Sequence, residues 1–415
     1  ATTLEKLYED VVDSFVLEHV LPADTLLNGS YYQATVVTYD ASGSGSAESA
    51  PIQFYCFSSP TFTFPNLSSG DNITTSTYSF VAQYEQVENE LLNQYSFVLY
   101  DGEDKQLSTS GAQYVGSTSL PPTLVVWTVS GLEDGKDYKI IANGITAYGT
   151  QVTTGFVSFS VKYDSPELPI PIELTNKCDE GYIRIHTASP NPIGGDVNML
   201  KLKRRKYGDF NWVTINSAVI IPTRPYDVVW HDNLAQSGVA YEYAVVPISS
   251  GVEGRYVTDN ILARFNGLFI CSKDKIYKLY EGIAYGSGQR EQKVGVFEPY
   301  GRKYPIVTSN ANINYDTGSF SGLILPENYM ETGKIDRKAI VERKDAILDF
   351  LTNKSAKIIK DFNTNIWLCM ITGSPSVTYE SSFGMGVVSI DASWVEIGDV
   401  NNSSDMYSAG FIEEV

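Results

Sequence analysis

The residues best suited to acid–base chemistry are the three histidines and the carboxylates near them. Asp232 directly follows His231, and such a pair could act as a general base with a carboxylate that orients it. No Gly-x-Ser-x-Gly nucleophile motif accompanies the pair, and His19 and His186 lie in other predicted elements. A glycoside hydrolase would need two carboxylates about 5–10 Å apart in a cleft, and the sequence points to no such pair. We therefore predict a non-enzymatic protein without catalytic residues.

No group of potential metal or cofactor ligands has the sequence spacing of a known binding motif. The glycine-rich stretch Tyr285-Gly-Ser-Gly-Gln289 lacks the Lys-Ser/Thr of a phosphate-binding loop, so a turn is the expected structure. The four cysteines are each separated by more than 90 residues, which is neither a zinc spacing nor a small disulfide framework. We predict no metal and no cofactor, and free thiols in a reducing compartment.

The only dense basic cluster lies within residues 201–206. Alternation along a strand would place Lys201, Lys203 and Arg205 on one face. A solvated sheet face is the default interpretation, and docking to an acidic surface is the functional one.

Net charge and hydropathy exclude two classes of partner. The chain has a formal charge of −19, and residues 1–165 hold 5 Lys and no Arg against 19 acidic residues, a charge of −14. This field would repel phosphates, so nucleic acid is not an expected partner. No apolar stretch approaches the length needed to cross a bilayer, so we expect no membrane insertion.

A turn signature, Leu-x-x-Gly-x-x-Tyr, recurs three times and precedes an apolar strand each time. The third copy is one residue longer. The three copies are Leu26, Gly29 and Tyr32; Leu132, Gly135 and Tyr138; and Leu234, Gly238 and Tyr241. A tyrosine just past a glycine turn can bond back to the turn's backbone and hold the corner of a β-sandwich.

The spacing of these tyrosines sets the predicted domain organisation. They lie 106 and 103 residues apart, the length of one sandwich domain. The layout resembles fibronectin type III modules, which predicts a mainly β chain of tandem sandwiches. The predicted first module covers residues 1–57 and is partial, with an amphipathic helix over 2–20. The second module covers residues 58–163 and the third 164–264.

The C-terminal segment, residues 265–415, breaks this repeat. It contains several predicted strands, including one at 304–308 and a glycine-bounded hairpin over 314–325. A helix over 336–352 follows, with Asp336 as its predicted cap. Two strands near 366–372 and 388–394 close the segment. We expect a β-sandwich or split barrel with one helix.

Six short segments of this region carry a second resemblance. They are Glu298-Pro-Tyr-Gly-Arg-Lys-Tyr-Pro305, Asp349-Phe-Leu-Thr-Asn353, Lys360-Asp361, Ile366-Trp-Leu368, Thr372-Gly-Ser-Pro375 and Trp394-Val-Glu-Ile-Gly398. Their order and composition resemble baseplate or distal-tail proteins of bacteriophages that infect Gram-positive hosts. The resemblance implies a homo-oligomeric ring, three- or six-fold, around the tail tube. It also implies contacts with the hub and other tail proteins, assembly in the bacterial cytoplasm and a final location in the virion. A host cell-surface glycan is a further candidate partner.

One alternative remains open from the sequence. A secreted or surface adhesin could display a carbohydrate- or protein-binding C-terminal sandwich on the same fibronectin-like array. Such an adhesin should be monomeric, whereas a ring component should oligomerise or require tail partners.

Overall fold

The protein is mainly β, with tandem sandwiches followed by a β-barrel that carries one long helix. A computed structural model describes residues 6–12, 18–116, 120–163, 171–193, 196–285, 289–379 and 387–413. The chain forms two compact units, Ala1–Lys162 and Tyr163–Val415.

The first unit begins with an isolated hairpin, which we call the N-terminal hairpin. Its strands are β1 (Ser30–Ala34) and β2 (Ile52–Cys56), paired antiparallel with Tyr32 opposite Phe54. The amphipathic helix predicted over 2–20 is absent from residues 6–12 and 18–20, and the rest of that prediction lies outside the described residues. Leu7 and Val11 are exposed, and without a surface to bury its apolar stripe a short helix is not stable in water.

The second module is a complete two-sheet sandwich. Its strands are β3 (Thr61–Thr63), β4 (Asp71–Ile73), β5 (Tyr78–Glu85), β6 (Leu92–Asp101), β7 (Gln106–Thr109), β8 (Gln113–Tyr114), β9 (Thr123–Val129), β10 (Asp137–Thr146), β11 (Gln151–Thr153) and β12 (Val157–Val161). One sheet has the order β3-β5-β9 and the other β4-β12-β10-β6-β7, with β11 and β8 attached to β10 and β6. Inward-facing aromatic side chains such as Phe80, Phe97 and Phe159 fill the core between them.

The third module repeats this arrangement. Its strands are β13 (Glu173–Lys177), β14 (Tyr182–Ser189), β15 (Val197–Lys206), β16 (Val213–Val219), β17 (Tyr226–Asp232), β18 (Ala240–Ser249), β19 (Val252–Glu253) and β20 (Thr258–Leu262). One sheet has the order β13-β14-β17 and the other β16-β15-β18-β19, with β20 also on β18.

The C-terminal segment forms a closed antiparallel barrel. Its strands are β21 (Leu268–Cys271), β22 (Ile276–Tyr285), β23 (Gln289–Phe297), β24 (Ile306–Ile324), β25 (Lys357–Lys360), β26 (Ile366–Tyr379) and β27 (Val388–Gly398). The strands follow the order β22-β21-β25-β26-β27-β24, and β24 pairs again with β22 to close the ring. Strand β23 lies outside this circle and pairs with β24.

Three helices lie among the described residues of this segment. They are α1 (Tyr329–Thr332), α2 (Arg337–Thr352) and α3 (Ser403–Ser408). The helix predicted over 336–352 is α2, and the Asp336 side chain accepts hydrogen bonds from the backbone N–H groups of Lys338 and Ala339 as its N-cap. Ile340 and Ile347 lie on its buried side, in one apolar cluster with residues of the barrel strands.

The hairpin predicted over residues 314–325 is instead part of the single strand β24. The glycines that suggested a turn instead let side chains from other strands pack close to the β24 backbone. A Cβ atom on Gly318 would lie 2.7 Å from the Trp394 ring, and one on Gly322 would lie 2.9 Å from Leu279. Glycine therefore marks close approach inside this strand, a role that glycines in strands often have.

The third module and the barrel share one hydrophobic core. Ile183 and Tyr243 of the module belong to the same buried cluster as Phe269, Ile358 and Leu368 of the barrel. Because β21, β25 and β26 alternate, their other face supplies Ile270 and neighbouring side chains to the separate core beneath α2. Residues 163–415 are consequently one packed unit.

Candidate association surface

The three tyrosine corners share one geometry. The corner glycines Gly29, Gly135 and Gly238 have φ angles of 80°, 73° and 80°, a left-handed conformation that glycine adopts without strain. Each tyrosine hydroxyl accepts a hydrogen bond from the backbone N–H of the residue five positions earlier. The distances are 2.6 Å from Leu27 to Tyr32, 2.9 Å from Glu133 to Tyr138, and 3.1 Å from Gln236 to Tyr241.

The corners differ in how deeply they are buried. Leu132 and Tyr138 are buried within the second module, and Leu234 and Tyr241 within the core shared by the third module and the barrel. Leu26 and Tyr32 of the N-terminal hairpin are only half-buried. The same motif therefore occurs in three different surroundings.

The third corner is also a contact with the barrel. Lys360 on β25 is fully buried, and its Nζ donates to the carbonyl oxygens of Asn233 and Ala235 at 2.6 and 2.8 Å. Thr364, in the following turn, lies against Gly238, where a Cβ atom would be 2.7 Å from its methyl group. Burial lowers the pKa of Lys360 to about 8.

A buried ion pair lies beside this contact. Arg204 of β15 donates to both carboxylate oxygens of Asp232, at 3.0 and 2.8 Å, and the Tyr243 hydroxyl donates to the same carboxylate at 2.7 Å. Burial alone would raise the pKa of Asp232, but Arg204 and the Tyr243 hydroxyl hold it below its usual value. The Asp232 carboxylate is thus bound by Arg204 and Tyr243.

His231 does not form a catalytic pair with Asp232. Its ring stacks on Tyr182 with 4.3 Å between centroids, and successive residues of a strand face opposite sides of the sheet. Burial lowers the pKa of His231. His186 is held differently, between Glu173 at 3.1 Å and Asp227 at 2.9 Å, and hydrogen bonds to these carboxylates raise its pKa.

The predicted docking patch is not an exposed surface, so that hypothesis is corrected here. Lys203 is buried and lies 2.6 Å from Glu253, which also lies 3.8 Å from Lys201. Arg205 donates to Glu242 at 2.7 Å, and its guanidinium lies 4.1 Å from the centre of the Trp212 ring. Alternation along β15 could not reveal these partners, because Glu242 and Glu253 lie on the neighbouring strands β18 and β19.

A two-stranded ribbon extends from the closed barrel, and we call residues 289–316 the arm. It consists of β23 and the first part of β24, which pair with each other from Phe297 opposite Ile306 to Arg290 opposite Asp316. Pairing of β24 with β27 starts only at Thr317. The base is anchored because Asp316 accepts a hydrogen bond from the Trp367 indole and donates its backbone N–H to Glu396.

The arm exposes a series of large apolar and aromatic side chains, each at least 41% exposed. They are Val294, Val296, Phe297, Tyr300, Tyr304, Ile306 and Val307. Val296 lies directly opposite Val307, so exposed apolar groups face each other across the ribbon. Isolated two-stranded hairpins are marginally stable in water, and exposed apolar patches of this kind are typical of interaction surfaces. The arm is therefore the candidate association surface.

Sequence reasoning located strands in this region but missed the arm. The strand predicted at 304–308 overlaps the start of β24, yet a strand prediction does not show whether a third strand covers either face. The many apolar and aromatic residues between positions 294 and 307 are the sequence signal that could have predicted the arm.

Within the part of the chain that the structure describes, no three His, Cys, Asp or Glu side chains gather as metal ligands. Nor does any helix there have the length and hydropathy to span a membrane. The four cysteines are free thiols, with Cys271 and Cys369 buried.

Comparison with known proteins gives only distant structural matches. No family model and no curated protein matches the chain. The match to the FN1-FN3 domains of chicken CNTN1 covers 58% of this chain and 77% of the CNTN1 chain, with 12% identity and a TM-score of 0.20. The fibronectin(III)-like modules of Clostridium thermocellum CbhA cover 49% and 95%, with 14% identity and a TM-score of 0.18. A two-domain segment of chicken tenascin covers 49% and 99%, with 11% identity and a TM-score of 0.17.

TM-scores this low carry no argument about fold, activity or partners. The assignment of fibronectin type III-like sandwich modules rests on the strand order of the second and third modules and on their tyrosine corners.

Proposed function

We propose that the protein is a non-enzymatic structural component of a bacteriophage tail tip or baseplate. In this proposal the barrel associates with further copies of itself in a ring around the tail tube and contacts the hub and other tail proteins. The protein works without a cofactor and is located in the virion.

The observation that carries this proposal is the arm. A barrel has no open sheet edges of its own, yet this one extends a ribbon whose outer strand β23 is paired on one side only among the described pairings. The ribbon adds exposed apolar side chains to that unpaired edge. Both features favour association with another protein surface, and repeated contacts in a closed ring would strengthen one another.

The segments that resemble phage tail proteins lie in the same part of the molecule. Residues 298–305 connect β23 to β24 at the tip of the arm, and residues 394–398 end strand β27. Residues 360–361 adjoin the contact between the barrel and the third module. The resemblance therefore coincides with the arm and with the barrel that supports it.

The third module belongs functionally with the barrel in this proposal. Because the two share one core, the third module stiffens the ring domain and is not a separate appendage. The N-terminal hairpin and the second module then serve as spacers or weak adhesins.

Immunoelectron microscopy of purified virions tests the location. An antibody raised against residues 265–415 should label the tail tip. Absence of label there, with the protein still detected in the virion preparation by immunoblot, would refute a tail-tip role. A protein found only on cells or in culture medium would instead support the adhesin alternative.

A further inference from the structure

Four aromatic rings form a continuous strip on the surface of the first unit, and we call it the aromatic strip. Tyr31 and Tyr55 lie on the N-terminal hairpin with their ring centres 4.5 Å apart. Phe57 follows at 4.6 Å from Tyr55, and Tyr148 of the second module at 5.0 Å from Phe57. The two end rings are open to solvent, with Tyr31 83% exposed and Tyr148 75% exposed.

The strip is not the core face of the hairpin. The paired residues Tyr32 and Phe54 correspond to Tyr138 and Phe159 of the second module, and each pair follows the tyrosine corner. The strip is on the opposite face, where the second module has polar side chains.

The positions equivalent to Tyr31 and Tyr55 differ between the two complete modules, and in the third module they hold Ala240 and Leu262. Asp137 and Ser160 occupy the positions equivalent to Tyr31 and Tyr55, and they bond to each other at 2.6 Å. Neither complete module has an aromatic ring at these positions, so sandwich packing does not require two tyrosines there. They point to binding.

The second module holds the strip in place. Ser58, directly after Phe57, donates its backbone N–H and its hydroxyl to Glu88 at 3.0 and 2.6 Å. Tyr148 lies in the turn between β10 and β11, and its backbone N–H donates to Glu90 at 3.2 Å. Hydrogen bonds therefore hold the backbone next to Phe57 and at Tyr148, and so fix the place where the hairpin part of the strip meets the second module.

A buried acidic side chain lies next to this surface. Glu90 is only 3% exposed, and while its Oε1 accepts from Tyr148, its Oε2 has no hydrogen-bond partner among the described residues. A buried carboxylate oxygen without a partner is unusual and costly. Glu90 is one of the 19 acidic residues that give residues 1–165 their charge of −14.

We infer that the aromatic strip binds an extended polypeptide segment that carries arginine or lysine side chains. Aromatic faces attract guanidinium and ammonium groups, and the acidic field of the unit draws such cations toward the surface. Anionic ligands are repelled by the same field. The strip, with ring-to-ring steps of 4.5, 4.6 and 5.0 Å, spans the length of about four extended residues at roughly 3.3 Å each.

Fluorescence anisotropy with the full chain tests this inference. The probe is a fluorescein-labelled heptapeptide of alternating arginine and glycine, and we expect saturable binding with one peptide per chain. Tyr31→Ala and Tyr148→Ala should each weaken binding by about 5-fold, the size expected for loss of one exposed cation–π contact. Tyr148→Phe, which keeps the aromatic face, should bind nearly as well as the unchanged protein.

Tyr114→Ala is the matched control, because Tyr114 is 74% exposed in the same unit but is not part of the strip. Its binding should equal that of the unchanged protein, and circular dichroism should show all variants folded. Equal affinities for all the alanine variants would show general charge attraction and overturn the inference. Tighter binding of a neutral chitin tetrasaccharide than of the peptide, lost in Tyr148→Ala, would overturn it in favour of a saccharide ligand.

Discussion

The second and third modules are both two-sheet sandwiches with the same tyrosine corner, yet they differ in what covers them. The second module encloses its own core, in which Phe80, Phe97 and Phe159 are buried between its two sheets. The third module shares its core with the barrel, through Phe269 and Leu368. A common motif thus sets the sandwich, and the neighbouring surface decides whether that sandwich is an independent domain.

The two modules also differ in how far their charged side chains are buried. The third module buries Arg204 and Asp232 close to Lys360 of the barrel, whereas Asp137 of the second module pairs with Ser160 on an exposed face. Burying charges is costly unless partners are held in place, so such groups suit a permanent contact between two parts of one unit.

The substitution with the largest expected effect tests whether the two cores unfold independently. Phe269→Ala should cost about 3–5 kcal/mol of unfolding free energy, because it removes a fully buried aromatic side chain. Hydrogen exchange should then show the third module and the barrel losing protection together, with residues 58–162 unchanged.

Phe97→Ala is the matched substitution in the second module and should have a similar cost there. It should leave exchange in residues 163–415 unchanged. Loss of protection in the barrel alone after Phe269→Ala would show that the third module folds independently, contrary to the comparison.

Breaking the buried ion pair should have the next largest effect. Asp232→Ala leaves Arg204 buried without a counter-charge and should cost about 3 kcal/mol. Asp137→Ala, at an exposed pair in the second module, should cost less than about 1 kcal/mol. Urea unfolding curves of the two variants measure both values, and equal costs would contradict the contrast between the modules.

The buried lysine predicts a pH dependence confined to the second unit. The pKa of Lys360 is about 8 in the folded protein and near 10.5 when unfolded, so between these values the unfolded chain binds more protons. Burial lowers the pKa of Lys357 in the same unit to about 8 as well, so each lysine should add about 1 kcal/mol to the stability of residues 163–415 between pH 7 and 9. Burial raises the pKa of Cys271 to about 11, which opposes the gain as the unfolded thiol begins to ionise near pH 9.

Thermal unfolding across this pH range is the measurement. Lys360→Met should reduce the slope of stability against pH, although it also leaves the carbonyl oxygens of Asn233 and Ala235 without their donor. An unchanged slope in that variant would assign the pH dependence to other groups.

The smallest effects concern the corners themselves. Tyr138→Phe and Tyr241→Phe each remove one buried hydrogen bond and should cost about 1 kcal/mol. Tyr32→Phe should cost less, because the half-buried Tyr32 hydroxyl can be replaced by water. Chemical denaturation of the three variants ranks them, and a cost for Tyr32→Phe equal to the others would show that burial does not matter here.

Local signals in the sequence predicted much of the fold. The corner glycines, the cap at Asp336 and the alternating residues of β27 each depend on neighbours within a few positions, and the structure has the expected elements there. Predictions that depended on distant neighbours were less successful. The helix predicted over 2–20 is absent from the described residues 6–12 and 18–20, where Leu7 and Val11 are exposed. Gly318 lies against Trp394 of another strand where a turn was expected.

The candidate sites show the same limit. Lys203 looked like a solvated residue because its partner Glu253 lies 50 positions away along the chain. The arm and the aromatic strip depend on which faces remain uncovered, and uncovered faces follow from tertiary packing and not from periodicity.

Sedimentation velocity of the full chain over a range of concentrations tests the central claim, that the arm is the surface through which copies associate. The unchanged protein should form a closed oligomer, and Val296→Asp with Val307→Asp, which places charges on an exposed cross-strand pair, should sediment as a monomer. Val219→Asp, at an exposed position of the third module, is the control and should remain oligomeric. A monomer at every concentration for the unchanged protein, or an oligomer that survives the arm substitutions, would contradict the account.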